Sequence, residues 1–257
     1  MSTRFKRGHM WSRAVGLAAT LLAMVYAAPF ARAQTEVDLQ LIFAVDASGS
    51  VNQYRFELQK RGYVAALRNP KVLSAILGGR TQSIAVSMFQ WTGPFLQAPV
   101  LPWMLLKNEA SIESAASQIE STPRKLFSGG TSISGAIDYS MGVFAQSPFK
   151  GERRVIDISG DGSNNGGRSV VRARDEAVAK DVTINGLPIL AVEPYLDRYF
   201  RDYVIGGPGA FMIVAERFED FADAILKKMI VEIASNDPIA PSAGQPTERQ
   251  PTSRRGS

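Results

Sequence analysis

The chain reads as a doubly wound α/β protein: a mostly parallel sheet of six strands, one of them an antiparallel edge strand, with helices on both faces. Three observations predict it. Strand-like and helix-like segments alternate from Leu39 to Ala234, the pattern of βαβ units. The first strand, Leu39-Gln40-Leu41-Ile42-Phe43-Ala44-Val45, is almost continuously apolar, as expected for a strand covered on both faces. Glycine-rich turns follow strands where open α/β sheets place their ligands.

The strand candidates are Leu39–Val45, Ser83–Trp91, Val100–Leu106, Arg154–Ser159, a stretch within Val182–Val192, and Ala210–Val214. Pro102 lies inside the third and places it at an edge, because proline cannot donate to a ladder. Helices are expected over Asn52–Leu67, Lys71–Leu77, Ser111–Ser121, Ser132–Phe144, Arg168–Asp181, within Glu193–Val204, and over Phe218–Ala234. In the first, Phe56, Tyr63, Val64 and Leu67 share a face, and Asn69-Pro70 ends it. In the last, Phe218, Phe221, Ile225, Met229 and Ile233 recur at helical spacing, with Glu219 and Asp220 in the first turn, as the helix dipole favours.

Of the 257 residues none is cysteine and one, His9, is histidine. The formal net charge of +5 comes from Arg4, Lys6, Arg7, Arg13 and Arg32, in a leader without acids; the rest balances at 24 basic and 24 acidic residues. The charge therefore belongs to the leader and indicates no nucleic-acid partner. Residues 1–33 read as a signal peptide: a basic start, an apolar run from Ala14 to Phe30, and Ala31-Arg32-Ala33 as a cleavage site. The expectation is a periplasmic or secreted protein with no membrane span after cleavage and no disulfides. Residues 235–257, rich in Pro, Ser, Gln and Arg, read as a disordered tail.

Three loops carry the chemistry. The first holds Asp46, Ser48 and Ser50; the second holds Thr131 after Gly129-Gly130; the third holds Asp161 between Gly160 and Gly162. In a parallel sheet these loops emerge on one edge. Two carboxylates and three hydroxyls make an all-oxygen set suited to a hard cation such as Mg2+ or Mn2+, with Ca2+ also possible.

Asp46-x-Ser48-x-Ser50, then Thr131, then Asp161, in this order and strand context, resembles the metal-ion-dependent adhesion site of von Willebrand factor type A (VWA) domains. The resemblance covers about residues 37–234. Phe89-Gln90-Trp91 and Ile184-Asn185-Gly186-Leu187-Pro188-Ile189 further resemble a little-studied branch of secreted bacterial proteins with this domain. The resemblance implies a Rossmann-like sheet of order 3-2-1-4-5-6. It implies direct ligation by Ser48, Ser50 and Thr131, with Asp46 and Asp161 acting partly through water. A protein partner would complete the shell with an Asp or Glu, and the domain would bind rather than catalyse. It also implies that the final helix shifts when the metal captures a ligand.

Enzyme alternatives fit less well. Gly160-Asp161-Gly162-Ser163-Asn164-Asn165 is close to the closing motif of haloacid-dehalogenase-like phosphatases, with Asp46 as nucleophile. That chemistry needs a second acid at position 48, which is serine, and Asn165 replaces the final acid. A serine hydrolase lacks a base, since His9 lies in the leader. The glycine-rich loop lacks the Gly-Lys-Ser/Thr of a nucleotide site. Trp91 is expected on the site's edge, either as a partner contact or as packing. Asp157 reads as a structural acid and Arg153-Arg154 as a solvated strand entry. Gly162, Gly166 and Gly167 read as ordinary loop flexibility, and Glu193 as a hydrogen-bonding group near the sheet edge.

Overall fold

A computed structural model describes residues 34–235. The expected signal peptide and all of the expected tail but Ser235 lie outside the described residues. The elements, in chain order, are β1 (Thr35–Asp46), α1 (Gln53–Leu67), α2 (Pro70–Leu77), β2 (Ile84–Trp91), β3 (Gln97–Leu106), α3 (Glu109–Ser121), α4 (Ile133–Ala145), β4 (Phe149–Gly160), α5 (Val170–Val178), β5 (Thr183–Pro188), α6 (Leu196–Tyr199) running into a π-helical turn (Phe200–Val204), a 3-10 turn (Phe218–Asp220) and α7 (Phe221–Ala234).

The sheet has five strands in the order β3-β2-β1-β4-β5. β1 lies parallel to β2 and to β4, β4 lies parallel to β5, and only β3 is antiparallel, at the edge. The order matches the first five strands implied by the resemblance. The expected sixth strand is not a continuous ladder. Phe211–Ala215 runs beside β5: Gly186 donates to Phe211 O, Ile213 to Gly186 O, Ala215 to Pro188 O and Leu190 to Ala215 O, all within 2.9–3.1 Å. The missing rung would need an N–H from residue 188. Proline has none, so two isolated bridges remain, Gly186 with Met212 and Ile189 with Ala215.

β1 organises the core. Leu39, Leu41, Phe43 and Val45 face α1, α2, α3 and α7, while Ile42 and Ala44 face α4, α5 and α6. Phe43 packs on Tyr63 at 5.1 Å between ring centroids, and Tyr63 on Phe221 at 5.4 Å. A Cβ at Gly62 would meet Phe221 Cδ1 at 2.7 Å, so the bare backbone there lets α7 seat against α1. Helix starts follow sequence. Asn52, Asn69, Asn108 and Ser132 each accept a hydrogen bond from a backbone N–H in the first turn of the helix that follows. Asn69-Pro70 is thus both the stop of α1 and the cap and first residue of α2.

Candidate metal centre

The three loops meet at the carboxyl-terminal edge of the sheet. Asp46 is the last residue of β1, fully buried. Its Oδ1 accepts from the Ser48 N–H at 2.7 Å, closing the turn on itself. The Ser48 and Ser50 hydroxyls lie 3.1 Å apart. Ser50 donates to Asp161 Oδ1 at 2.6 Å, and the Asp161 N–H donates to Asp46 Oδ2 at 3.4 Å. Four of the five expected residues are therefore joined in one hydrogen-bonded ring. Thr131 stands next to the Asp161 turn: a Cβ on Gly162 would lie 3.4 Å from Thr131 Oγ1.

Close approach accounts for several of the glycines in these loops, which corrects the expectation of loop flexibility for Gly167. A Cβ at Gly160 would come within 3.0 Å of Asp46 Oδ2. Gly167, at φ +81°, would meet Ser132 Oγ at 2.7 Å. Gly129, at φ +118°, would meet Thr92 Oγ1 at 2.5 Å.

Several supporting residues escaped the sequence reading. Asn165 clamps Thr131 from both sides, its Oδ1 accepting the Thr131 N–H and its N–H donating to Thr131 O, each at 2.8 Å. Asn164 Oδ1 accepts the Ser134 N–H at 3.0 Å. Arg124, nearly buried, donates to Ala47 O at 3.0 Å and Ser48 O at 3.3 Å, pinning the first loop from the second. Gln90 Oε1 accepts the Lys125 N–H at 2.7 Å, and the Thr92 hydroxyl donates to Gly130 O at 2.8 Å. Below Asp46, Gln59 donates to its carbonyl at 3.1 Å. Glu193, expected as a hydrogen-bonding group near the sheet edge, accepts from the Ser163 N–H at 3.0 Å and from its hydroxyl at 2.5 Å, tying the Asp161 loop to the loop after β5. The doubled Asn in Gly-Ser-Asn-Asn was the one signal available for the clamp.

Trp91 ends β2 at the site's edge, wholly buried in the core with Phe89 and Ile133, so of the two expected roles it takes packing and not partner contact. Arg153 is not a solvated entry either. Its guanidinium donates to Glu232 O at 3.0 Å and Ile233 O at 3.2 Å, capping α7.

The electrostatics leave the centre short of positive charge. Burial, then the charge of Asp161, pushes the Asp46 carboxyl up to about 7. Burial likewise raises Asp161, against the Ser50 hydrogen bond and Arg55. Asp161 Oδ2 is buried without a hydrogen-bond partner. Arg55 Nη1 is 3.9 Å from it, too far for a hydrogen bond, and is engaged on Ser50 O at 2.8 Å. An all-oxygen donor set with an orphaned carboxylate oxygen fits a hard divalent cation.

No curated protein matches the chain. Among solved structures, its fold is similar to proximal thread matrix protein 1 from the mussel byssus (16% identity, TM-score 0.56, covering 78% of this chain and 49% of that one). A second structure of that protein, described with a zinc-occupied MIDAS motif, matches at 14% identity and TM-score 0.53, covering 77% and 46%. A von Willebrand factor type A protein from Catenulispora acidiphila matches at 15% identity and TM-score 0.54, covering 78% and 43%. The chain thus matches less than half the length of these proteins, and the likeness is one of fold: five strands and their helices in the VWA arrangement. Among the described residues no helix is long and apolar enough to cross a membrane. The model of a family described as "Protein of unknown function (DUF1194)" matches residues 36–237, and the chain belongs to that family.

Proposed function

We propose that this chain is an exported, metal-dependent protein-binding domain in which Asp46, Ser48, Ser50, Thr131 and Asp161 hold Mg2+ or Mn2+. The observation that carries this is Asp161 Oδ2, a buried carboxylate oxygen with no hydrogen-bond partner. Leaving such an oxygen unmet costs on the order of 1–3 kcal/mol or more, which a cation would relieve. A bound divalent ion would supply an electrophilic position for a partner's carboxylate. The chain's own residues orient the donors: Ser48 N–H turns Asp46, Ser50 holds one side of Asp161, and Asn165 fixes Thr131.

Ser48 counts against the phosphatase alternative. A hydroxyl there offers no acid/base carboxylate beside Asp46. Export rests on the leader sequence. The test is calorimetric titration of Mg2+ and Mn2+ into the purified protein beside Asp46→Ala. Saturable binding lost in the variant supports the proposal; no heat with either ion overturns it.

A further inference from the structure

β5 begins at Thr183, level with Val155, so the Phe149–Arg154 stretch of β4 has no β5 partner. Under this step lies a cavity of about 560 Å³. It sits at the amino-terminal edge of the sheet, at the end of β4 remote from Asp161. Sites for small molecules enclose roughly 300–1,000 Å³.

The walls are held in place by β5. The Thr183 hydroxyl donates to Pro208 O at 3.3 Å, and Asn185 Oδ1 accepts the Phe211 N–H at 2.9 Å. Gly207, at φ +96°, lets the Pro208 turn seat there, since a Cβ would meet Thr183 Cα at 3.0 Å. Asn185 lines the cavity and is itself buried. It gives one amide N–H to Glu232 Oε1 at 2.7 Å, and its second has no acceptor among the described residues.

Two guanidiniums, on adjacent residues of the overhang, also line the cavity. Arg153 donates to Glu232 O and Ile233 O, and Arg154 to Lys180 O, so all three acceptors are neutral carbonyls. Among the described residues neither arginine pairs with a carboxylate. Of the acids in the lining, Glu152 is engaged by Arg80, and Glu232 by Lys228 and Asn185; Asp181 stands exposed. Burial lowers the Arg153 pKa in spite of Glu232, Asp38 and Glu152 nearby. A charge withdrawn from water without a counter-ion is costly. An entering anion would supply one, through the N–H groups that the carbonyls leave free.

We propose that this cavity binds a small organic monocarboxylate with an apolar, ring-sized body. The carboxylate lies against Arg153 and Arg154, and the body packs on Phe211, Val155 and Val178. A phosphate monoester would also fit the guanidinium forks, but its second charge would crowd Glu152, Asp181 and Glu232. The site is separate from the candidate metal centre and needs no cation.

The test is calorimetric titration of the purified full protein, in EDTA, with naphthoate, naphthyl phosphate, naphthylmethylammonium and acetate. Naphthoate should bind saturably and at least about tenfold more tightly than each of the others. Arg154→Gln should weaken naphthoate about tenfold, and Arg154→Lys should recover part of the loss. Arg154 is bonded only to Lys180 O, so both variants should keep the parent's melting temperature. Phe211→Ala should weaken naphthoate as well. Absence of saturable naphthoate binding overturns the proposal. So does equal binding of naphthylmethylammonium, or an Arg154→Gln variant with the parent's affinity. Naphthyl phosphate binding more tightly than naphthoate overturns the monocarboxylate class.

Discussion

Ser50 donates its hydroxyl to Asp161 Oδ1 across 2.6 Å, joining two turns 111 residues apart in the chain. The carboxylate is thereby held through Oδ1, while the buried Oδ2 has no hydrogen-bond partner and faces Arg55 Nη1 at 3.9 Å. The orientation of Asp161 is thus fixed by a protein hydroxyl. This asymmetry separates what Asp161 does for stability from what it does for binding.

Asp161→Asn keeps the shape and the acceptor for Ser50 but removes a buried charge. Without metal the variant should be as stable as the parent or more so, by up to about 2 kcal/mol. With saturating Mg2+ the order should reverse, because only the parent gains from the ion. Urea denaturation in EDTA and in Mg2+ reads both signs.

The metal-free protein should lose stability as pH rises. Burial lifts the Asp46 carboxyl from 3.8 to about 7, and Asp157 is raised by burial despite Lys228 beside it. Folded values above the unfolded one mean that the folded state holds these protons more tightly. The associated stability is complete below about pH 4 and is lost through about pH 7. Denaturation in EDTA at pH 5 and pH 8 should differ by on the order of 2 kcal/mol per group. Asp46→Asn should remove its share of the slope.

Gly129→Ala should destabilise by about 1–3 kcal/mol. The position has φ +118°, and a Cβ would press on Thr92 Oγ1 at 2.5 Å. Thr92 hydrogen-bonds the loop on either side of Gly129, at Ser128 O and Gly130 O. The strain therefore falls on the approach to Thr131, and Mg2+ affinity should weaken along with the melting temperature.

The alternation of strands and helices and the three loops were legible because apolar runs and glycine-bracketed polar residues are local signals, whereas the strand order came from the resemblance to VWA domains. The broken sixth strand was legible in principle, since Pro188 sits where a donor is needed, but only once the register of Phe211–Ala215 against β5 is known. Arg124 and Asn165 were not legible. Their partners, Ala47 O and Thr131, lie 77 and 34 residues away, and beyond the doubled Asn at Asn164-Asn165 no local pattern announces a side chain that satisfies another loop's backbone. The choice between contact and packing for Trp91 was not legible for a related reason: it depends on the bare Gly160 backbone beside it, where a Cβ would come within 3.4 Å of Trp91 Cζ2.

The fully buried Lys228 anchors α7 to the sheet. Its ammonium is 2.8 Å from Asp157 Oδ1 and 3.1 and 3.3 Å from the two oxygens of Glu232, and it lies 5.1 Å from the centre of the Phe211 ring. Asn185 donates to Glu232 Oε1 at 2.7 Å. One cation thus serves two buried carboxylates. Lys228→Met fills the space yet leaves both acids uncompensated, so it should cost about 3–5 kcal/mol. Replacing the three together, as Lys228→Met/Asp157→Asn/Glu232→Gln, removes every charge while Gln keeps an acceptor for Asn185. The triple variant should recover most of the loss, since the cost of the single change is stranded charge rather than lost packing. Urea denaturation of the two variants decides it: equal destabilisation in both would mean that α7 is held by the shape of the lysine and not by its charge.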